Sequence, residues 1–396
     1  MSTVTIAIAI CALLTLAYVF DLTASKTKIP SVILLLLLGW LVARVPMERP
    51  DLSFMLPILG TMGLILIVLE GSLELQINRS KIPLVKKSSL AALLPMLILP
   101  LGAAYLATLF GYPSLKNNMV NFVPLFIISS AIAIPTAQSL NPYNREFVIY
   151  ESSLSDIFGV MLFNFIALNE VIDGSASIEF VKQTFVMLAI SLVATLALAW
   201  LISSIKHHVK FVPIVLATVM IYLVSKHYHL PSLLFILLFG LFLGNVSLFK
   251  NKPKFNFLHP EVLGEEVHRL KDIVAEVAFL VRSLFFLFFG FLLDTNELLN
   301  TDTILLAILI TSAIFGSRAL VLKLFKMPKM PLMTIAPRGL ITILLFLSIP
   351  PEQSIALVNK PLITQVIILT ALVMMFGVMF NKTPVEEPEP NNEKVA

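Results

Sequence analysis

The sequence predicts an all-α polytopic membrane protein, with about thirteen transmembrane helices in two inverted repeats of six and a linking helix between them. Three observations carry this. Of 396 residues, 58% are hydrophobic and only 13% charged, with a mean hydropathy of +0.94; soluble domains carry about 25% charge. Apolar runs long enough to cross a bilayer recur from end to end. The basic residues concentrate in alternate connections between those runs.

The runs follow in order. The first, "VTIAIAICALLTLAYVF" at 4–20, has no basic segment before it, so it reads as a retained helix and not a cleaved leader. "IPSVILLLLLGW" opens the second, at 29–44, and the third lies at 52–70. The fourth, 88–110, follows a basic loop, and the fifth, 122–140, contains Pro135. The sixth, 146–169, carries Glu151 and Asp156, and the seventh, 181–205, links the halves. The second half repeats the series at 211–225, 232–249, 273–293, 303–322, 331–349 and 363–380. Between its second and third runs, 250–272 reads as an amphipathic cytoplasmic helix, with His259 and His268 as surface residues and not metal ligands. The last residues, 381–396, are acidic and proline-rich, with too little apolar surface to fold, and read as a disordered cytoplasmic tail.

Odd-numbered connections and the tail hold 19 Lys and Arg, even-numbered connections with the span ends beside them 6, and the span interiors 3. This split puts the N-terminus outside and the C-terminus in the cytoplasm of a plasma (inner) membrane protein. The same distribution makes the net charge of +4 a mark of topology and argues against a nucleic-acid partner. One cysteine, Cys11, permits neither an intrachain disulfide nor a multi-cysteine metal site.

Two spans contain a mid-run proline, in "FVPLFIISSAIAIPTAQSL" and "PLMTIAPRGLITILLFLSI". Proline removes a backbone hydrogen bond and crowds the preceding turn, so breaks are expected at Pro135 and at Pro337, beside Arg338. The two prolines are 202 residues apart and the halves begin 207 apart, so the breaks correspond. Matched broken helices crossing at the midplane of inverted halves point to a transporter's binding site.

The charges within the spans need partners. An arginine keeps its charge, so Arg318 and Arg338 require an anion or a carbonyl-lined cavity, and pairing one of them with Glu151 solves two burial problems together. Glu151 and Asp156 lie about 140° apart around a helix, so they are not each other's partners. Ser152 shares a face with Asp156, and Ser155 shares one with Glu151. Asp156 is left without a fixed cation; desolvation penalises its charged form, so it holds a proton unless a cation arrives. Exchange of a proton for an alkali cation at Asp156 is the expected function, because oxygen ligands suit hard cations. A plainer reading is a polar packing group satisfied by a nearby serine. Glu70, in "VLEGSLEL", is either a second ligand or a carboxylate snorkelling to the interface.

"ESSLSDIFG", "GSRALVLK", "APRGLITILLF" and "VLEGSLEL" together resemble segments of the monovalent cation:proton antiporter superfamily, in the branch of bacterial and archaeal Na+/H+ antiporters and eukaryotic Na+/H+ exchangers. The resemblance runs along essentially the whole chain. It implies a homodimer in membrane lipid, with a moving six-helix core working by an elevator-like alternation and with no cofactor beyond the transported ions. By resemblance, Asp156 binds the cation or the proton, with Ser152 and Glu70 beside it and backbone carbonyls near Ala133 and Ile134. Ser155 and Thr136 complete that ion- and proton-binding set, Glu151 pairs with Arg318, and Arg338 supports the second broken helix. The division it implies is a core near 52–169 and 273–380, a dimerisation scaffold near 1–50 and 211–249, and the linking helix 181–205.

The chain departs from the family where Ala133-Ile134-Pro135 replaces the usual Thr-Asp-Pro, and where Ser155 replaces Asn or a second Asp. The missing second Asp favours electroneutral exchange. A K+/H+ exchanger or a cation-coupled symporter on the same fold is the alternative. An intramembrane enzyme is not expected: paired Asp-rich motifs and His-Glu-x-x-His are both absent. A channel would show a ring-forming pore motif in place of two broken helices.

Overall fold

A computed structural model describes residues 3–27, 29–45, 54–75, 79–169, 174–205, 207, 209–228, 230–250 and 252–380; the expected tail, 381–396, lies outside them. Among the described residues there are helices and turns and no strand. In order, the helices are α1 (Thr3–Thr27), α2 (Ser31–Val42), α3 (Met55–Glu74), α4 (Ile82–Leu109), α5 (Leu115–Phe122) and α6 (Ser130–Ala137). They continue with α7 (Pro142–Leu168), α8 (Gly174–Ser204), α9 (Phe211–His227), α10 (Leu233–Gly244) and α11 (Pro260–Phe291). The chain closes with α12 (Thr295–Leu298), α13 (Thr301–Leu324), α14 (Leu340–Leu347) and α15 (Lys360–Phe380). Helix is the form that satisfies every backbone group within an apolar run, which is why these runs adopt it. Among the described residues eight helical segments are long and apolar enough to cross a membrane and four more apolar helices are shorter. With the interrupted segment 332–347, they correspond to the expected runs one for one.

Two boundaries differ instructively. The amphipathic stretch and the span expected at 273–293 are one helix, α11, because no proline interrupts the chain between Pro260 and Phe291. The first break lies at 127–129, not at Pro135. Pro135 sits inside α6, just as Pro95 and Pro100 sit inside α4, since each removes only one hydrogen bond from an otherwise intact helix. The break follows Pro124 instead, which falls in a 3-10 turn, Val123–Phe126, that ends the α5 segment. Ile127 and Ser129 are then extended, with ψ of 127° and 112°. The second break, 335–339, does contain Pro337.

The most extensive packing joins α11 to α2 and to α3, and α3 to α10. Glycine permits this closeness: a Cβ on Gly39 would sit 2.8 Å from the Phe291 nitrogen, and one on Gly290 would sit 2.9 Å from the Leu36 Cα. Helix α4 packs on α5 and α7, α6 on α7, and α13 on α15. The α3 helix also touches α6, α7 and α14, and so forms the seam between the two groups.

Candidate ion-binding site

The site is built where the two breaks meet α7. That helix starts cleanly, Pro142 occupying its first position and the Asn141 side chain accepting from the Asn144 N–H at 2.9 Å. Its inward face carries Glu151, Ser152, Ser155, Asp156 and Gly159, all buried. Any side chain at Gly159 would strike Ile127, so the missing Cβ lets the first break lie directly on α7.

Each break exposes backbone groups with no helical partner, and the two breaks satisfy each other. The Ser129 N–H donates to the Pro337 carbonyl at 2.9 Å. The Ile128 N–H donates to Ser155 Oγ at 2.9 Å. Arg338 closes the rest: Nε reaches the Leu125 carbonyl at 2.9 Å, Nη2 that of Phe126 at 3.2 Å and Nη1 that of Ala336 at 2.6 Å. Its own N–H donates to Thr370 Oγ1 at 3.1 Å. Carbonyls at the end of the α5 segment thus meet a fixed cation, the arrangement a helix C-terminus favours. Arg318 takes the anionic solution. It binds Glu151 through both terminal nitrogens, at 2.6 and 2.8 Å, while its Nε donates to the Leu332 carbonyl at 2.6 Å.

Asp156 is treated differently. It is 0% exposed, and the Ser130 hydroxyl donates to its Oδ2, with the Ser130 backbone N–H interacting as well. Among the described residues Oδ1 has no partner and no cationic side chain pairs with the carboxylate. The hydroxyls of Ser129 and Ser153 are likewise buried without partners. Because Pro135 has no N–H, the Ala131 carbonyl one turn earlier in α6 also lacks its helical donor. The neighbourhood therefore offers oxygen donors to a hard cation.

The expected residues divide accordingly. Asp156, Ser155, Pro337 and Arg338 meet at the crossing, and Glu151 joins Arg318 beside it. Ser152 Oγ donates to the Ile149 carbonyl at 3.4 Å and Thr136 Oγ1 to that of Ile132 at 2.8 Å, so neither is bonded to Asp156. Ala133 and Ile134 are buried within the regular turns of α6 and not at its break. Glu70 is half-buried on α3, within reach of the Arg282 charge, and no hydrogen bond joins it to Asp156 among the described residues. Its neighbour Gly71 abuts Ser153 and Ile134, which places this part of α3 against α6 and α7.

Sequence reasoning missed Ser130 as the partner of Asp156 and Pro124 as the origin of the break. The serine pair Ser129-Ser130 ahead of a short apolar helix was the available sign, since serine favours helix starts.

Comparison with curated protein sequences finds no significant match. Among solved structures, the fold is similar to that of the sodium proton antiporter MjNhaP1 from Methanocaldococcus jannaschii at pH 8, with a TM-score of 0.70 and 18% identity over 96% of this chain and 99% of that one. An electron-microscopy structure of the same antiporter gives a TM-score of 0.71 and 19% identity over 96% and 95% of the two chains. A model of the family described as sodium/hydrogen exchanger, transmembrane, matches residues 9–382. That match spans every helix from α2 to α15 and most of α1, and the chain belongs to the sodium/hydrogen exchanger family.

Proposed function

We propose that this chain is a secondary antiporter exchanging a monovalent cation, Na+ ahead of Li+ and K+, for H+ by alternating access, with proton and cation competing for Asp156. The observation that carries the reading is the state of that carboxylate: fully buried, with one oxygen held by Ser130 and the other unpartnered. A buried charge without a counter-charge is costly, so the group takes either a proton or a cation, and never neither. The neighbouring arginines do not compete for it, because Arg318 and Arg338 are committed to Glu151 and to carbonyls. We further propose a homodimer in the plasma membrane, with the N-terminus outside and the C-terminus in the cytoplasm. The alternation of basic connections supports that orientation. Exposed apolar side chains such as Phe185, Val193 and Leu216 suit contact with lipid.

The test uses proteoliposomes, acid inside, with a pH-sensitive dye, to which Na+, Li+ or K+ is added in turn. The wild type releases protons on cation addition and Asp156→Asn does not. An undiminished response in that variant would remove Asp156 from the site. A wild type silent to all three cations would overturn exchange, and a response to K+ alone would assign K+/H+ exchange.

A further inference from the structure

Helix α3 is gripped on one side and only touched on the other. Its more extensive packing is with α10 and α11. On the α10 side glycines bring backbone against backbone: a Cβ on Gly244 would meet the Leu73 carbonyl carbon at 3.1 Å, and one on Gly240 the Leu69 carbonyl oxygen at 3.2 Å. Polar bonds reinforce this grip. Lys271 of α11 pairs with Glu74 at 3.5 Å, and the Asn245 amide at the end of α10 donates to the Leu75 carbonyl at 2.7 Å. The side of α3 that faces α6, α7 and α14 is built differently. Gly60, Gly63 and Gly71 are buried there within about 80° of arc. A Cβ on Gly60 would strike the Leu344 side chain of α14, with Cγ at 2.9 Å. One on Gly63 would lie between Leu340 Cδ1 of α14, at 3.1 Å, and Val281 Cγ1 of α11, at 3.5 Å. One on Gly71 would lie 3.0 Å from Ser153 Oγ of α7 and 3.2 Å from Ile134 Cδ1 of α6. The glycines on this side thus meet side-chain tips and not backbone. Among the described residues no hydrogen bond or ion pair joins α3 to α6, α7 or α14, and the Ser153 hydroxyl on this face is itself unpartnered.

We propose that this glycine face of α3 is the surface over which α6, α7 and α14 move as the site changes its access, so that Gly60, Gly63 and Gly71 are positioning residues that govern the rate of exchange and not the affinity for the cation. This rests on the alternating-access reading given above. Moving one helix past another requires ridges to climb out of grooves, and bonds between them to be broken and remade. A glycine face has no ridge, the side-chain tips opposite it yield, and an interface without hydrogen bonds has none to break. Backbone packing and polar bonds on the α10 and α11 side hold α3 still meanwhile. Glycines that served close packing alone would behave otherwise: enlarging them would cost stability and leave the rate of the folded protein unchanged.

The test measures Vmax and KM for Na+ in the proteoliposome assay, beside melting temperature in detergent, for wild type, Gly60→Ala and Gly63→Ala. Each variant is expected to lower Vmax about tenfold with little change in KM or melting temperature, because the added methyl obstructs movement more than it disturbs either end state. Removing the opposing side chain, in Gly60→Ala with Leu344→Ala, restores most of the Vmax. A lower melting temperature with undiminished Vmax, a rise in KM alone, or no rescue by Leu344→Ala would overturn the proposal. Should the rescue variant misfold, Gly60→Cys with Leu344→Cys in a Cys11→Ala background supplies a second reading, since the two positions are close enough to bridge. Oxidation to the disulfide is expected to stop exchange and reduction to restore it. Exchange by the crosslinked protein would sink the sliding face alone, whereas a wild type without cation-dependent proton release would sink the antiport reading.

Discussion

The Arg318 guanidinium grips the Glu151 carboxylate with both prongs, at 2.6 and 2.8 Å, and both side chains are buried. The contact ties α7 to α13, and through the Arg318 bond to Leu332 it also anchors the entry to the second break. Removing one member strands the other charge at a cost of about 3–5 kcal/mol. Glu151→Gln and Arg318→Gln are each expected to lower the melting temperature in detergent, and the double variant is expected to lose less than the sum of the two. Additive losses would show that the pair is not coupled. Arg318→Lys does not rescue, because an ammonium cannot reproduce the planar fork and the third bond to Leu332.

Arg338 serves three carbonyls on two different segments. A lysine there reaches fewer of them, and each buried carbonyl left over costs about 1–3 kcal/mol. Arg338→Lys is therefore expected to lower the melting temperature and to speed amide exchange at Ile128 and Ser129, whose N–H groups close the same crossing. Unchanged exchange at those two amides would mean that the breaks hold each other without the guanidinium.

Much of this fold was legible in the sequence because the bilayer constrains it so strongly. Apolar run length and the sorting of Lys and Arg depend on composition alone, and the thirteen runs follow from them. The committed arginines were legible for a similar reason: a charge that cannot be shed has to be met, and Glu151 or backbone carbonyls were the available choices. The exact break was not. Pro135 drew attention because it stands mid-run, yet a proline within a helix sacrifices one bond, whereas Pro124 acts where β-branched Ile127 and Ile128 follow and where Ser155, Pro337 and Arg338 receive the freed groups. Those partners are distant in sequence, so no local pattern reveals them. For the same reason Ser152 looked like the partner of Asp156 from helix spacing, while the bond is made across helices by Ser130.

The close crossing of α2 and α11 gives a prediction with an internal control. A methyl group at Gly290 would press on the Leu36 backbone of α2, with the Leu36 Cα at 2.9 Å. Backbone on both sides leaves nothing to yield, so Gly290→Ala is expected to destabilise by about 1–3 kcal/mol. Gly102, in α4, has nothing within 4 Å of its would-be Cβ, and Gly102→Ala is expected to be neutral or slightly stabilising. Thermal melts of the two variants in detergent check the contrast, and equal losses would refute the close crossing of α2 and α11.

Among the described residues the Ser130 hydroxyl is the one side-chain donor to Asp156, and it stands at the first position of α6. A hydrogen bond to a charged group contributes about 1.5–3 kcal/mol, so its loss corresponds to tenfold or more in an equilibrium constant. Ser130→Ala is expected to raise KM for the transported cation by about that factor, and Ser130→Thr is expected to keep most of the wild-type affinity, since the hydroxyl is retained. Ser152→Ala is expected to do far less, because Ser152 is bonded to the Ile149 carbonyl of its own helix. Cation titrations in proteoliposomes separate the two serines. A larger effect from Ser152 than from Ser130 would return the site to the single face of α7 that helix spacing suggested, and would take the α6 break out of cation binding.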